Sequence, residues 1–296
     1  MTHPGWLWIP VTIWAAFAQT LRNAAQRSLT GELGTLGATL VRFLYGLPFA
    51  ALWLYAVHEV GRFDFPAPNL SFLGWVLLGA VSQIGATALL LRVMTERNFT
   101  LGVAYSKSEI VQVAIFGFVF LGDRIDTIVA IAIALGTAGV LMLAPADREH
   151  PWRALLTGWT SRLALLGLAS GTGFALSAVG FRGAALALGD TPFLMAAAST
   201  LLVAQLVQTL LLGGWLLLRK RDVLLRVLRA WRASLFAGFM GAAASAGWFT
   251  AMAIEPVAHV RTLGLIELLF SYIVSRRVFR EHQIDSLMTI SNASVM

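Results

Sequence analysis

The sequence predicts an all-α, polytopic membrane protein built as a bundle of long apolar helices. Of its 296 residues, 58% are hydrophobic and only 12% are charged, whereas about 25% of residues are charged in a typical soluble domain. Apolar runs close to the ~20 residues that cross a bilayer recur along the chain. Hydrocarbon cannot hydrogen-bond exposed peptide groups, and the runs are too long for barrel strands, so each run is predicted to be a helix.

Nine apolar runs follow one another along the chain. They cover residues 6–21, 36–57, 72–91, 101–121, 127–143, 163–188, 193–218, 233–254 and 257–274. No Lys or Arg precedes the first run, so the N-terminus lacks the basic start of a cleavable signal peptide. We therefore expect the first run to be a retained membrane helix.

The basic residues divide unequally between the two sides of the membrane. The connections after the odd-numbered runs carry 16 Lys and Arg residues, against 4 in the other connections. This count places Arg22 in a loop of the first group and Arg261 in a loop of the second. By the positive-inside rule, the N-terminus is predicted to lie outside the cytoplasm, with the chain in a bacterial inner membrane. The same distribution explains the formal charge of +7 without a nucleic-acid partner.

The connection 219–232 has helical spacing of its own. Leu224, Val227, Leu228 and Trp231 fall opposite several arginines. Two interpretations fit this pattern: a helix on the cytoplasmic lipid surface, or an ordinary basic loop with a short helical turn.

The acidic residues indicate an internal repeat. Asp123 and Glu281 end the fourth and ninth runs in similar surroundings and are 158 positions apart. With this offset Glu109 falls on Glu267. A unit of five spans is odd-numbered, so a second copy would be inverted in the membrane, as in many secondary transporters. The sequence thus predicts an inverted repeat of two five-helix halves, residues 1–146 and 157–296.

The fourth run has a polar segment, residues 104–109 (AYSKSE), and is followed by Gly122, Asp123 and Arg124. With these residues and the repeat, the chain resembles the drug/metabolite transporter superfamily, specifically proteins with two EamA domains. The resemblance implies two EamA-like halves and transport of small metabolites by alternating access. Members include aromatic amino acid exporters of the YddG type, threonine and homoserine exporters, and nucleotide-sugar and triose-phosphate carriers.

The C-terminal segment departs from this resemblance. The family pattern has a tenth helix after Glu281, but residues 282–296 are polar. We do not expect that tail to span a bilayer.

The ionisable residues Arg42, Lys107, Glu109 and Glu267 are predicted to lie at membrane depth. Such groups cost about 2.5–3.5 kcal/mol at membrane depth on insertion scales, so they are predicted to face protein or water. Two roles remain open. They line a substrate or proton path, or they pair and hold helices together.

The fourth run also shows a polar stripe. Tyr105, Ser108, Glu109 and Gln112 follow i, i+3, i+4 spacing and are predicted to share one face. Lys107 precedes Glu109 by two positions, about 200° around a helix. The spacing therefore predicts no pair between them and a partner for Lys107 on another helix.

Further polar groups occur in the first three runs, and aromatic residues are common throughout. The polar residues are Gln19, Asn23, Ser82, Gln83 and Thr87. Trp248 is a candidate aromatic wall of a substrate site, although helix packing is the commoner role of a single aromatic residue.

The favoured function is export of small metabolites. An amphipathic zwitterion suits a site with a cation, carboxylates and aromatic rings, so amino acids, aromatic ones first, are the leading substrates. Phosphorylated sugars fit less well, since only Lys107 and Arg42 are counted as deep cations. Facilitated diffusion and proton antiport remain alternatives.

The competing classes are a channel, a structural membrane subunit and an intramembrane enzyme. The chain has no Cys, and its five His residues fall near run ends. We therefore expect no enzyme activity, no metal and no cofactor.

Overall fold

The structure is a computed structural model that describes residues 4–96, 99–124 and 162–280, with isolated positions between 127 and 138. The regular elements of these residues are helices, and no β-strand occurs among them. The helices are α1 (Trp8–Leu44), α2 (Leu47–Gly61), α3 (Leu70–Glu96), α4 (Phe99–Ser106), α5 (Glu109–Phe116), α6 (Arg162–Ala187), α7 (Phe193–Arg219), α8 (Arg221–Arg229), α9 (Trp231–Ile254), α10 (Val257–Leu263) and α11 (Ile266–Arg277). The all-α prediction is confirmed.

Seven stretches of the described residues are long and apolar enough to cross a membrane. They are Trp8–Gly61, Leu70–Glu96, Val103–Leu121, Arg162–Ala187, Phe193–Arg219, Trp231–Ile254 and Val257–Arg277. The chain is therefore a multi-pass membrane protein. The predicted fifth run, 127–143, falls largely outside the described residues, and the tail 282–296 falls wholly outside them.

The first stretch, Trp8–Gly61, is 54 residues long, about 80 Å as one helix and far more than the ~30 Å hydrocarbon core. It bends at Gly34, whose φ is 69°. Across the bend, the Gln26 side-chain amide donates to the Ala38 carbonyl at 2.7 Å. Residues twelve apart in a straight helix are separated by about 18 Å. The chain therefore folds back at Gly34, and both of the first two predicted runs are present.

Two arginines that the sequence pattern assigns to loops are buried instead. The first helix continues past residue 21 to Leu33, which carries Arg22 into the bundle, and Arg261 lies within α10. Their side chains are 1% and 5% exposed. The prediction was wrong because the polar residues around Arg22 face protein, not water. Without these two arginines, the connections after the odd-numbered runs carry 15 basic residues and the other connections carry 3, so the predicted orientation is the same.

Small residues bring the long helices close together. α1 packs along α9, and α3 packs along α6. A Cβ added to Gly180 of α6 would lie 2.8 Å from the Gly79 backbone nitrogen of α3. A Cβ on Gly247 of α9 would lie 2.8 Å from Ala15 Cβ of α1. Such close approach is how membrane helices gain van der Waals contact.

The offset of 158 also aligns the helix ends. Shifted by 158, Phe193–Arg219 falls on residues 35–61, from just after the bend at Gly34 to the end of α2. The end of α9 falls on the end of α3, and the start of α10 falls on the start of α4. The offset was chosen from two acidic residues and not from helix ends, so the agreement of the helix ends is an independent test of it.

The connection 219–232 contains the predicted helical turn, α8. Val227 is fully buried against the core. The Tyr45 hydroxyl donates to the Val227 carbonyl at 2.9 Å. The apolar face of α8 therefore packs at least partly on the protein.

Candidate functional site

Two membrane helices are interrupted at matching positions. α4 ends at Ser106 and α5 begins at Glu109, while α10 ends at Leu263 and α11 begins at Ile266. Under the offset of 158 the two breaks coincide to within one residue. Ser108, Gly264 and Leu265 keep right-handed helical torsions and the backbone forms i→i+3 hydrogen bonds, so a short 3₁₀-like turn joins the two helices in each case. The buried charged side chains of the fourth and ninth runs cluster here.

Glu267 is the most densely bonded group of the cluster. Its Oε2 accepts from Lys107 Nζ at 2.5 Å and from Gln19 Nε2 at 2.7 Å. Its Oε1 accepts from Asn23 Nδ2 at 3.0 Å. The carboxylate is 1% exposed. It is thus held by donors from α1 and from the break between α4 and α5, and the expected partner of Lys107 on another helix is confirmed.

Glu109 is held more loosely. Its Oε1 lies 3.5 Å from Lys107 Nζ and 3.5 Å from an Arg261 terminal nitrogen. The prediction that Lys107 and Glu109 cannot pair was wrong, because the turn between them has i→i+3 hydrogen bonds and the 200° spacing of a regular α-helix does not apply there. Lys107 therefore lies between two carboxylates that are equivalent under the offset of 158.

Trp248 joins the cluster from α9. Its indole N–H donates to Gln19 Oε1 at 2.9 Å. The Arg261 guanidinium lies 4.6 Å from the centre of its ring. A cation over an indole face is stabilised by the ring quadrupole. The predicted aromatic wall at Trp248 thus lies against a buried cation.

Arg42 lies in a different environment. Its terminal nitrogens donate to Thr87 Oγ1 at 3.1 Å and to Ser245 Oγ at 3.4 Å. No carboxylate among the described residues pairs with it, and its Nε has no acceptor there. Arg42 is only 2% exposed. Thr87 and Ser245 are 158 positions apart, so the guanidinium joins two residues that are related by the offset.

A second guanidinium, that of Arg22, lies beside Arg42. A Cβ placed on Gly241 would be 3.3 Å from Arg42 Cβ and 3.6 Å from Arg22 Cδ. Arg22 donates twice to Asn23 Oδ1, at 3.2 and 2.7 Å. Because Asn23 in turn donates to Glu267, hydrogen bonds connect Arg22 with Glu267, whereas the hydrogen bonds of Arg42 go to Thr87 and Ser245.

The buried charges of the described residues do not cancel. Four basic and two acidic side chains are buried, a formal excess of two positive charges. They are Arg22, Arg42, Lys107, Arg261, Glu109 and Glu267.

Other predicted site residues lie outside this network. Gln83 accepts a hydrogen bond from Gln208 Nε2 at 2.8 Å. Tyr105 is buried in a small apolar group with Val93 and Ala164.

The remaining two members of the predicted stripe also differ from expectation. Ser108 lies against α6, where its Oγ would be 2.6 Å from a Cβ on Gly171. Gln112 is half-buried on α5. Tyr105 and Ser108 both face α6, at Gly167 and Gly171, whereas the Glu109 carboxylate lies near Lys107 and Arg261.

Sequence reasoning missed Arg22, Arg261 and Ser245, although signals for them exist. Arg261 lies inside the ninth apolar run, and Arg22 lies between Gln19 and Asn23. Ser245 falls on Thr87 under the repeat offset. Each of these sequence patterns can be interpreted only when the residue in contact with it in the fold is known.

An apolar groove lies on the other side of α9. It has a volume of about 760 Å³, and its lining carries no charged residue. Trp14, Trp53 and Phe239 are among the residues that form it. This surface suits a hydrocarbon chain and offers no group that recognises a charged metabolite.

Among the described residues, no group of three His, Cys, Asp or Glu side chains is arranged to hold a metal ion. Comparison with protein-family models and with curated protein sequences finds no match to this chain.

Proposed function

We propose that the protein is a secondary transporter of small charged metabolites, with the buried charged cluster as its central site. The observation that carries this proposal is the position of the paired charges at two matching helix breaks. Secondary transporters with inverted repeats bind cargo near the membrane midplane, where discontinuous helices meet.

A purely structural role explains the cluster less well. Buried ion pairs seldom stabilise a fold more than apolar side chains of similar volume. A structural cluster would also be saturated, as Glu267 is. The Nε groups of Arg42 and Arg261 are buried without acceptors among the described residues. Arg182 and Arg226, outside the cluster, have such an Nε as well, so the support for a binding role is that no carboxylate among the described residues pairs with Arg42.

In this proposal, residues 1–146 and 157–296 are two inverted five-helix halves that alternate around the cluster, as in the drug/metabolite transporter superfamily. Three features support the plan. The helix ends agree under the offset of 158, the helix breaks agree, and Arg42 bridges the equivalent residues Thr87 and Ser245.

The proposed location is a bacterial inner membrane with the N-terminus outside the cytoplasm, supported by the basic residues of the loops. Export of amino acids, aromatic ones first, is the initial substrate hypothesis. A carboxylate would meet Arg42, an ammonium group Glu109, and a ring Trp248. A channel, a structural subunit and an intramembrane enzyme are the alternatives.

Counterflow in proteoliposomes tests the proposal. Vesicles loaded with one unlabelled metabolite at a time, from a panel of amino acids and organic acids, receive a trace of the labelled compound outside. A carrier gives transient, saturable accumulation, and Arg42→Gln removes it. The matched control is Arg92→Gln, since the Arg92 side chain is 48% exposed and pairs with Glu96 at the surface. Linear, non-saturable flux would indicate a channel, and no flux of any panel member would contradict transport.

A further inference from the structure

The excess of buried positive charge indicates what kind of cargo the cluster accepts. We infer that the site binds an organic anion, whose carboxylate or phosphate group is held at Arg42 with Arg22 beside it. This inference rests on the proposed transport function for its physiological meaning. The binding itself does not depend on it.

The first step is the set of partners that Arg42 has. Its two hydrogen-bond acceptors, Thr87 and Ser245, are neutral hydroxyls. A second cation, Arg22, lies beside it at Gly241, and no carboxylate among the described residues forms an ion pair with Arg42. An uncompensated guanidinium at membrane depth is costly. A bound anion would supply the missing negative charge.

The second step is that the two buried carboxylates are already occupied. Glu267 accepts three hydrogen bonds and also lies within electrostatic range of Arg22. Glu109 is shared between Lys107 and Arg261. Neither is paired with Arg42.

The third step is geometric. A guanidinium has five N–H donors in a planar fork that matches the oxygens of a carboxylate or phosphate. Arg42 uses two donors on hydroxyls, and its Nε–H has no acceptor among the described residues. The same holds for the Arg261 Nε–H. The cluster therefore presents unused donors suited to anionic oxygens.

The fourth step is charge counting. A zwitterion leaves the excess of two positive charges unchanged, and a cation increases it. A monoanion halves the excess, while a dicarboxylate or a phosphate monoester, with about −1.5 to −2 charges at pH 7, nearly cancels it. This reverses the order expected from the sequence, in which phosphorylated compounds ranked lower because Arg22 and Arg261 were assigned to loops.

The test compares ligands that share a phenyl ring and differ in charge. The full chain, in nanodiscs of neutral phosphatidylcholine, is titrated with phenyl phosphate, phenylpyruvate, phenylalanine and phenethylamine, and separately with inorganic phosphate. Binding is measured by calorimetry and by the shift of the thermal unfolding midpoint. We expect phenyl phosphate and phenylpyruvate to bind more tightly than phenylalanine, and phenethylamine not to bind.

Variants locate the binding at Arg42. Arg42→Gln should weaken anion binding by roughly tenfold or more, and Arg42→Lys should weaken it less, since the charge stays but the fork is lost. Arg92→Gln should leave it unchanged. If Arg42→Gln does not fold, Arg42→Lys and the ligand order of the unmodified protein decide the question.

Three results would overturn the inference. They are binding of phenylalanine as tight as that of the anions, anion binding unaffected by either Arg42 variant, and no binding of any anion, inorganic phosphate included. A lipid phosphate offers the same chemistry, so the titration is repeated in nanodiscs with phosphatidylglycerol. Loss of anion binding there would assign the site to a lipid headgroup and would overturn a soluble cargo.

The two proposals fail separately. Anion binding without counterflow would leave the site intact and refute transport. Counterflow of phenylalanine without anion binding would support transport and refute the anion site.

Discussion

The two ends of the buried cluster differ in how their charges are satisfied. At one end, Glu267 accepts hydrogen bonds from Lys107, Gln19 and Asn23 at 2.5 to 3.0 Å. At the other end, Arg42 contacts two neutral hydroxyls and keeps an unused donor. Both groups are equally buried, so the difference lies in partners and not in solvent access.

This difference separates a structural role from a binding role. A saturated buried ion pair is strongly destabilising to break, because removal of one partner leaves the other charge alone. Removal of a buried cation that has no counter-charge leaves no partner charge alone, so it should cost less stability. Glu267 is therefore expected to matter most for stability, and Arg42 is expected to matter most for binding.

The largest effect is predicted at Glu267. Glu267→Ala leaves Lys107 with the looser partner Glu109 and removes the acceptor of two amides. The free energy of unfolding should fall by about 3–5 kcal/mol, measured by unfolding of the purified protein. Glu96→Ala, at the surface pair with Arg92, should change stability little. Equal stability of the two variants would show that the Glu267 network does not hold the fold.

An intermediate effect is predicted at Glu109, whose two ion pairs are 3.5 Å long. Glu109→Gln keeps the shape of the side chain, so the fold and ligand binding should persist. If Glu109 carries a proton exchanged against cargo, transport by this variant should no longer respond to an imposed pH gradient. Proteoliposome flux with and without the gradient measures this response. A response like that of the unmodified protein would exclude proton coupling through Glu109.

A smaller effect is predicted at the two hydroxyls of Arg42. Hydrogen bonds to charged groups contribute about 1.5–3 kcal/mol. Thr87→Val should therefore raise KM for transport more than Ser245→Ala does, since the Thr87 bond is 3.1 Å and the Ser245 bond is 3.4 Å. The comparison of initial rates over a range of cargo concentrations measures both. An unchanged KM in both variants would show that the orientation of Arg42 does not matter.

The smallest stability effect is predicted for the removal of Arg42 itself. Arg42→Met replaces an unpaired buried cation with an apolar side chain, so the unfolding free energy should change by about 1 kcal/mol or less while counterflow is lost. Unfolding and transport measured on the same preparation test this separation. A loss as large as that of Glu267→Ala would make Arg42 a structural residue.

Much of the fold follows from sequence patterns, because the bilayer restricts the choice to helices and fixes their length. The offset of 158 followed from Asp123 and Glu281, and it agrees with helix ends that were not used to choose it. The position of the helix breaks does not follow from hydropathy, since Lys107 and Gly264 lie inside otherwise continuous apolar runs.

The candidate site was predictable only in part. Lys107, Glu109, Glu267 and Arg42 are visible as isolated charges in apolar runs. Arg22 was assigned to a loop, because hydropathy measures the polarity of a segment and does not distinguish water from a polar protein interior. The contact between Arg42 and Ser245 joins residues 203 positions apart, and a hydropathy pattern contains no such information.

Accessibility of the cluster from the two sides of the membrane tests alternating access most directly. The chain has no cysteine, so Ser245→Cys introduces a single thiol beside Arg42. Ser170→Cys, at the α3–α6 contact where Ser170 bonds to the Ala86 carbonyl, is the buried control. A transporter predicts that a membrane-impermeant thiol reagent labels Ser245→Cys from either side, that bound anion slows both reactions, and that Ser170→Cys stays unlabelled. Labelling from one side only, or no labelling of Ser245→Cys from either side, would contradict alternating access at this cluster.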